Sequence, residues 1–105
     1  MEGLELICFK IITSVGGARS MYIEAIYEAK RGNFERARAL IEEGSTLFTE
    51  GHHAHAELIQ KEASGEKTEV GLLLIHTEDM LMSAESFKII AEEFIDVYAM
   101  VLKNA

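Results

Sequence analysis

Small and apolar residues recur at alternating steps of three and four over three long stretches of this chain, and none of its 105 residues is proline. In the first stretch the series is Leu4, Cys8, Ile11, Val15, Ala18, Tyr22, Ala25 and Ala29. A strand would alternate every second residue; a repeat near 3.5 belongs to a helix lying at a shallow angle on other helices. With no proline, nothing forces a break, and the spacing predicts a helix over 4–30. Gly16-Gly17 falls inside it. Each glycine costs a helix about 1 kcal/mol, but the stripe stays in phase across them, so the pair reads as a close helix contact or a slight kink.

Gly32-Asn33 forms the first joint: Gly32 suits the left-handed position that ends a helix, and Asn33 suits the N-cap of the next. The second stretch, over 34–63, carries Ala37, Leu40, Gly44, Leu47, Gly51, Ala54 and Leu58. Gly44 and Gly51 lie on that stripe, where small residues let a neighbouring helix come close. Ser64-Gly65-Glu66-Lys67 is the second joint, with Thr68 as N-cap and Glu69 near the positive end of the following helix dipole. The third helix is expected over 69–103.

That third stretch is the widest. One stripe runs through Val70, Leu73, Thr77, Met80, Ala84, Phe87, Ala91, Phe94, Tyr98 and Val101, and a second adds Leu74, Leu81, Ile95 and Leu102. Three helices of roughly 40–50 Å with short joints fold up-down-up, which makes the fold class all-α, an antiparallel three-helix bundle. The apolar width of the third helix exceeds what two neighbours cover. A homo-oligomer with this helix at its centre is the expectation.

Composition narrows the class. Hydrophobic residues make up 49% of the chain, enough for a core. The formal net charge of −8 argues against a nucleic-acid binder. One cysteine, Cys8, rules out an internal disulfide and fits a reducing compartment. The start, Met1-Glu2-Gly3-Leu4-Glu5, lacks the positive region of a secretory signal, and no unbroken apolar run reaches about 18 residues. The expectation is a soluble cytoplasmic protein without direct membrane insertion.

The most unusual residue is His76. Five of the six positions before it, Val70-Gly-Leu-Leu-Leu-Ile75, are apolar, and Asp79 follows one turn later on nearly the same face. A helix this apolar is expected to be buried nearly all round at that level. The imidazole is then either an interior hydrogen-bonder or a nucleophile or ligand placed where water is scarce. Asp79 can fix its tautomer or hold a metal nearby. The other histidines, His52, His53 and His55, cluster on the second helix, and Glu50-Gly51-His52-His53 has the Glu-x-x-His spacing of di-iron bundles. Such a site needs a second copy of that motif and a fourth helix, so a polar helix face is the better reading. Cys8, Met80, Met82 and Met100 fit core packing. Glu42-Glu43 and Glu92-Glu93 look like solvated faces. Arg19 can hold an anion or serve the surface. The chain has no glycine-rich phosphate loop, Cys-x-x-Cys pair or Gly-x-Ser-x-Gly.

The stretch Leu72-Leu-Leu-Ile-His-Thr-Glu-Asp-Met-Leu-Met82 resembles the signature of the lactose/cellobiose-type IIA component of the bacterial phosphoenolpyruvate-dependent sugar phosphotransferase system. There an apolar run commonly leads into His-Ala-Gln-Asp-His-Leu-Met. The likeness spans nearly the whole chain: Ile11-Ile-Thr-Ser-Val-Gly-Gly-Ala-Arg-Ser20 resembles the family's first helix, Gly32-Asn-Phe34 its first turn, and His53-Ala-His-Ala-Glu-Leu-Ile-Gln60 its second helix.

The resemblance implies a single IIA-type domain over 1–105 that trimerises into a nine-helix bundle. It implies that His76 takes a phosphoryl group from the phosphocarrier protein HPr and passes it to a cysteine of the IIB component. It also implies that Asp79 gathers at the trimer axis around one Mg2+. Glu78 and Met80 stand where the family has glutamine and histidine. Met80 removes a polar neighbour of the histidine, and Glu78 adds a negative charge whose expected place is near the incoming phosphate. The alternative is a non-catalytic helical adaptor or regulatory module derived from that family.

Overall fold

A computed structural model of the chain describes residues 3–103. Three helices follow in order: α1 (Gly3–Lys30), α2 (Phe34–Ala63) and α3 (Leu72–Lys103). They lie side by side in a rod of 57 × 21 × 20 Å. The pairing of residue numbers gives the directions. Gly51 and Gly44 of α2 pack on Val15 and on Tyr22 of α1, so these two helices are antiparallel. Gly16 and Arg19 of α1 meet Met80 and Ser83 of α3, so α1 and α3 run parallel. The topology is the expected up-down-up bundle.

The seven-membered stripe of α1 from Cys8 to Ala29 is fully buried at every position. α1 therefore supplies the central seam, although by length and hydropathy alone it would pass for a membrane span. Its small residues bring the helices close. A Cβ placed on Gly44 would sit 2.6 Å from the Tyr22 ring, and one on Gly51 would sit 2.7 Å from Val15 Cγ1. The Gly16-Gly17 pair belongs to the close-contact case, since α1 continues through it unbroken and Gly17 faces Leu47.

Both α1 and α2 end in the same way. Gly32 (φ 87°) and Gly65 (φ 99°) take the left-handed conformation. Around them Asn33 N–H reaches Glu28 O at 2.9 Å and Glu66 N–H reaches Lys61 O at 3.1 Å, the six-to-one bond of the Schellman motif. Asn33 does stand at the N-cap of α2, but its side chain makes no cap bond and instead donates to Glu28 Oε2 at 2.9 Å.

The start of α3 differs from the expectation. Thr68 is not the N-cap: residues 66–71 are irregular, and the Gly71 carbonyl accepts the Ile75 N–H at 3.1 Å. Glycine and β-branched valine are poor helix residues, so Val70-Gly71 ends the helix from its N-terminal side before Thr68 can cap it.

Candidate phosphoryl-transfer site

One side of α3 is fixed by the core. Thr77, Leu81, Ala84, Ala91 and Ile95 are buried. At about 100° per residue, Thr77 and Ile95 point the same way, and every other position on α3 can be placed relative to that direction. His76 then lies roughly 100° to one flank and Glu78 roughly 100° to the other. The flank of His76 faces α1: there Arg19 Nε donates to Ser83 Oγ at 2.9 Å and the guanidinium stacks 4.7 Å over the Phe87 ring. The flank of Glu78 faces α2, where His55 Nε2 and Glu78 Oε1 are 2.6 Å apart.

This overturns one expectation about the site. His76 is not buried within the chain; it is exposed, as is Asp79, and neither has a hydrogen bond or ion pair among the described residues. The apolar run before it is not a dry seam within one chain, since Leu72 is 83% and Ile75 56% exposed. A single chain covers only one side of α3. The charge on Glu78 is also not aimed at its own chain's His76. It is turned to the opposite flank and paired with His55, a partner the sequence did not point out.

The second helix splits its histidines. His52 stacks on Phe48 with ring centroids 6.2 Å apart, while half-buried His55 faces Glu78, so the pair at i and i+3 is not drawn to a common centre. Cys8 is fully buried, as its place on the stripe of α1 predicts. Met80 packs partly buried over Gly16. Met82 and Met100, expected in the core, are each 66% exposed. Arg19 is held on α3 rather than left at large on the surface.

Met82 belongs to a stripe that the core periodicity hides, and Met100 lies in the same direction seven residues past its end. Opposite the core face, Leu72, Ile75, Asp79, Met82, Ser86, Ile89 and Glu93 follow one another at steps of three and four, all of them exposed. Ten of the fifteen exposed large hydrophobic residues among the described ones lie on α3. Apolar surface in such quantity marks a contact face. Asp79 is an acid set in an otherwise apolar part of this stripe. Within one chain no three metal-ligating side chains converge among the described residues. A lone carboxylate is an oxygen donor suited to Mg2+, and a threefold arrangement about the stripe would supply three of them.

Known proteins give this geometry its context. The family model for the lactose/cellobiose-specific IIA subunit of the phosphotransferase system matches residues 6–99. The lichenan-specific phosphotransferase enzyme IIA component of Bacillus subtilis is 44% identical over 97 residues, covering 92% of this chain and 88% of that one. The crystal structure of the cellobiose-specific enzyme IIA from Bacillus anthracis superposes with a TM-score of 0.97 at 42% identity, covering 100% of this chain and 96% of that one. The IIA(chitobiose) chain, solved in complex with HPr from the Escherichia coli N,N'-diacetylchitobiose branch, superposes with a TM-score of 0.81 at 29% identity, covering 96% of this chain and 98% of that one. An exposed histidine on a bundle of this shape, in a sequence matching that model nearly end to end, has one consistent reading: the chain belongs to the lactose/cellobiose-specific IIA family and is a phosphoryl-carrying IIA component of a sugar phosphotransferase system.

Proposed function

We propose that His76 is the phosphoryl acceptor, that HPr is its donor and that a cysteine of a IIB component is its acceptor in turn, in the cytoplasm. The observation that carries this is the position of His76: exposed, on the rim of the apolar face of α3, with no side-chain partner among the described residues to occupy its ring nitrogens. A neutral imidazole is a good nucleophile. A ring nitrogen lone pair attacks the phosphorus of the donor phosphohistidine in line, the N–P bond to the donor breaks, and the departing imidazole takes up a proton. A thiolate of IIB then attacks the same phosphorus and His76 leaves. The chain's contribution is placement, so no nucleotide site is needed. The HPr complex of the chitobiose relative supports the choice of donor.

The working form in this reading is a homotrimer, with the outward stripe of α3 at the axis. Each large apolar side chain taken out of water contributes about 1.5–3 kcal/mol, which makes the stripe a strong drive to associate. Association would also dry the surroundings of His76 and protect its N–P bond from hydrolysis. Three Asp79 carboxylates would meet at the axis and repel one another, and one Mg2+ held there would neutralise them. In this reading the ion's part is structural.

The test is transfer of labelled phosphate from phospho-HPr. Wild type takes up one acid-labile phosphate per chain, and His76→Gln takes up none while keeping the oligomer. Label on the His76→Gln variant would sink the assignment, and a wild type that never becomes labelled would leave the adaptor reading in its place.

A further inference from the structure

The flanks of α3 carry opposite chemistry. With the core direction of Thr77 as origin, Ser83 and Phe87 lie roughly 120° and 80° to the side of α1, and Glu85 lies roughly 80° to the side of α2. All three are within one turn along the axis. On the α1 side, Arg19 is pinned by its Nε bond to Ser83 and by the Phe87 ring. Its terminal amino groups have no partner among the described residues. On the α2 side, Glu85 is exposed and has none either, whereas Glu78, two turns before it, is already taken by His55. Glu85 also stands, together with Lys88, on the lip of a shallow cavity of about 320 Å³ lined by Tyr22, Phe48, His52 and Ile89, which leaves room for an incoming side chain.

A closed ring of copies about the outward stripe cannot bring like flanks together. Each copy must present its α1-side flank to the α2-side flank of the next. Residues beside the apolar stripe then meet across the seam, as the flanking charges of coiled coils do. We propose that Arg19 of one copy and Glu85 of the next form an ion pair across every seam of the assembly. The inference rests on the threefold reading above and adds the residues that choose which flanks meet. His76 lies on the same flank as Arg19, about two turns before Ser83 along α3, so the pair closes the same seam that holds the acceptor histidine. An arginine already held by its Nε and its ring face gives up little freedom in offering its remaining donors to a carboxylate.

Sedimentation equilibrium at micromolar concentration and low salt tests this on wild type, Glu85→Gln, Glu85→Arg and the swap Arg19→Glu/Glu85→Arg, each checked for helix content by circular dichroism. Glu85→Arg turns attraction into repulsion at three seams. At about fivefold per seam the trimer association constant falls by roughly a hundredfold, less in high salt, while Glu85→Gln falls by less. The swap regains at least half of the loss on a logarithmic scale. A trimeric wild type with Glu85→Arg equally trimeric at all salt concentrations overturns the ion pair alone, as does a folded swap variant weaker than Glu85→Arg. Should Arg19→Glu disturb the Ser83 contact and unfold the swap, the salt-dependent ordering of the two Glu85 variants decides. A wild type that is monomeric overturns the threefold reading and the seam with it.

Discussion

Replacing Gly44 with alanine should weaken the bundle, while the same replacement at Gly16 should strengthen it. Both residues sit mid-helix, where alanine is favoured over glycine by about 1 kcal/mol. The packing decides the sign. A Cβ on Gly44 would lie 2.6 Å from Tyr22 Cε1, 3.1 Å from Cδ1 and 3.3 Å from the Ala18 carbonyl oxygen. Tyr22 is fully buried and the close atoms belong to a rigid ring rather than to the end of a flexible chain, while the Ala18 carbonyl of α1 stands on the other side. Overpacking of this kind costs about 1–3 kcal/mol, which against the propensity gain leaves a net loss of up to about 2 kcal/mol. A Cβ on Gly16 meets only Met80 Cε, at 3.6 Å, an ordinary contact with the end of a flexible side chain. The propensity gain there is kept nearly whole. Thermal unfolding at one fixed protein concentration should separate the variants by about 5 °C or more, since they differ by about 1–3 kcal/mol and 1 kcal/mol moves a domain near this size by about 4–8 °C. Equal melting temperatures, or Gly44→Ala the more stable, would refute the close approach of α1 and α2 at this point.

Three further outcomes are expected. Burial pushes the Tyr22 phenol above its ordinary value and Glu92 adds to this, with nearby Ser45 offsetting part of the effect. The folded chain therefore keeps this proton where the unfolded chain loses it, and the resulting stability is present below about pH 10 and lost as pH rises through the folded value. Because the Tyr22 hydroxyl has no hydrogen-bond partner of good geometry among the described residues, with Ser45 itself donating to the Ile41 carbonyl, Tyr22→Phe should add about 1 kcal/mol at neutral pH and flatten the alkaline decline in denaturant titrations. In the proposed trimer, Asp79→Leu should remove the Mg2+ that elemental analysis finds in the wild type and leave the assembly intact or tighter, because burying charge returns less than it costs; unchanged metal content removes Asp79 from that role. His55→Ala should cost about 0.5–1 kcal/mol by urea unfolding, since the half-exposed His55–Glu78 pair is screened by water, and a double-mutant cycle with Glu78→Gln should find the two coupled; strict additivity would mean the contact contributes nothing.

Much of the fold was legible because helix periodicity is a local property. The stripe of α1 named from spacing alone is the one that is buried, and the two joints fall at glycines whose positive φ only a residue without a side chain adopts cheaply. The one misplaced boundary, Thr68 for Gly71, is also local: a good cap was outranked by two poor helix formers after it. The site was legible only as chemistry. His76 and Asp79 stand out by residue type, and the match to a family signature supplied their expected roles.

Where those side chains point was not legible. An apolar run around a histidine suggests burial, yet the order of residues does not say how many neighbours a helix has, and within one chain α3 has neighbours on one side only. Glu78 reads in sequence as a charge close to His76, and only the placement of α2 turns it to the opposite flank and onto His55. The sequence by itself determined three helices, their order and their core-facing stripes, because backbone hydrogen bonding and hydrophobic spacing act over one or two turns. The tertiary structure alone decided which flank of α3 holds His76, which acid is paired and which stripe is left uncovered, because contacts between residues tens of positions apart depend on how whole helices are rotated against each other.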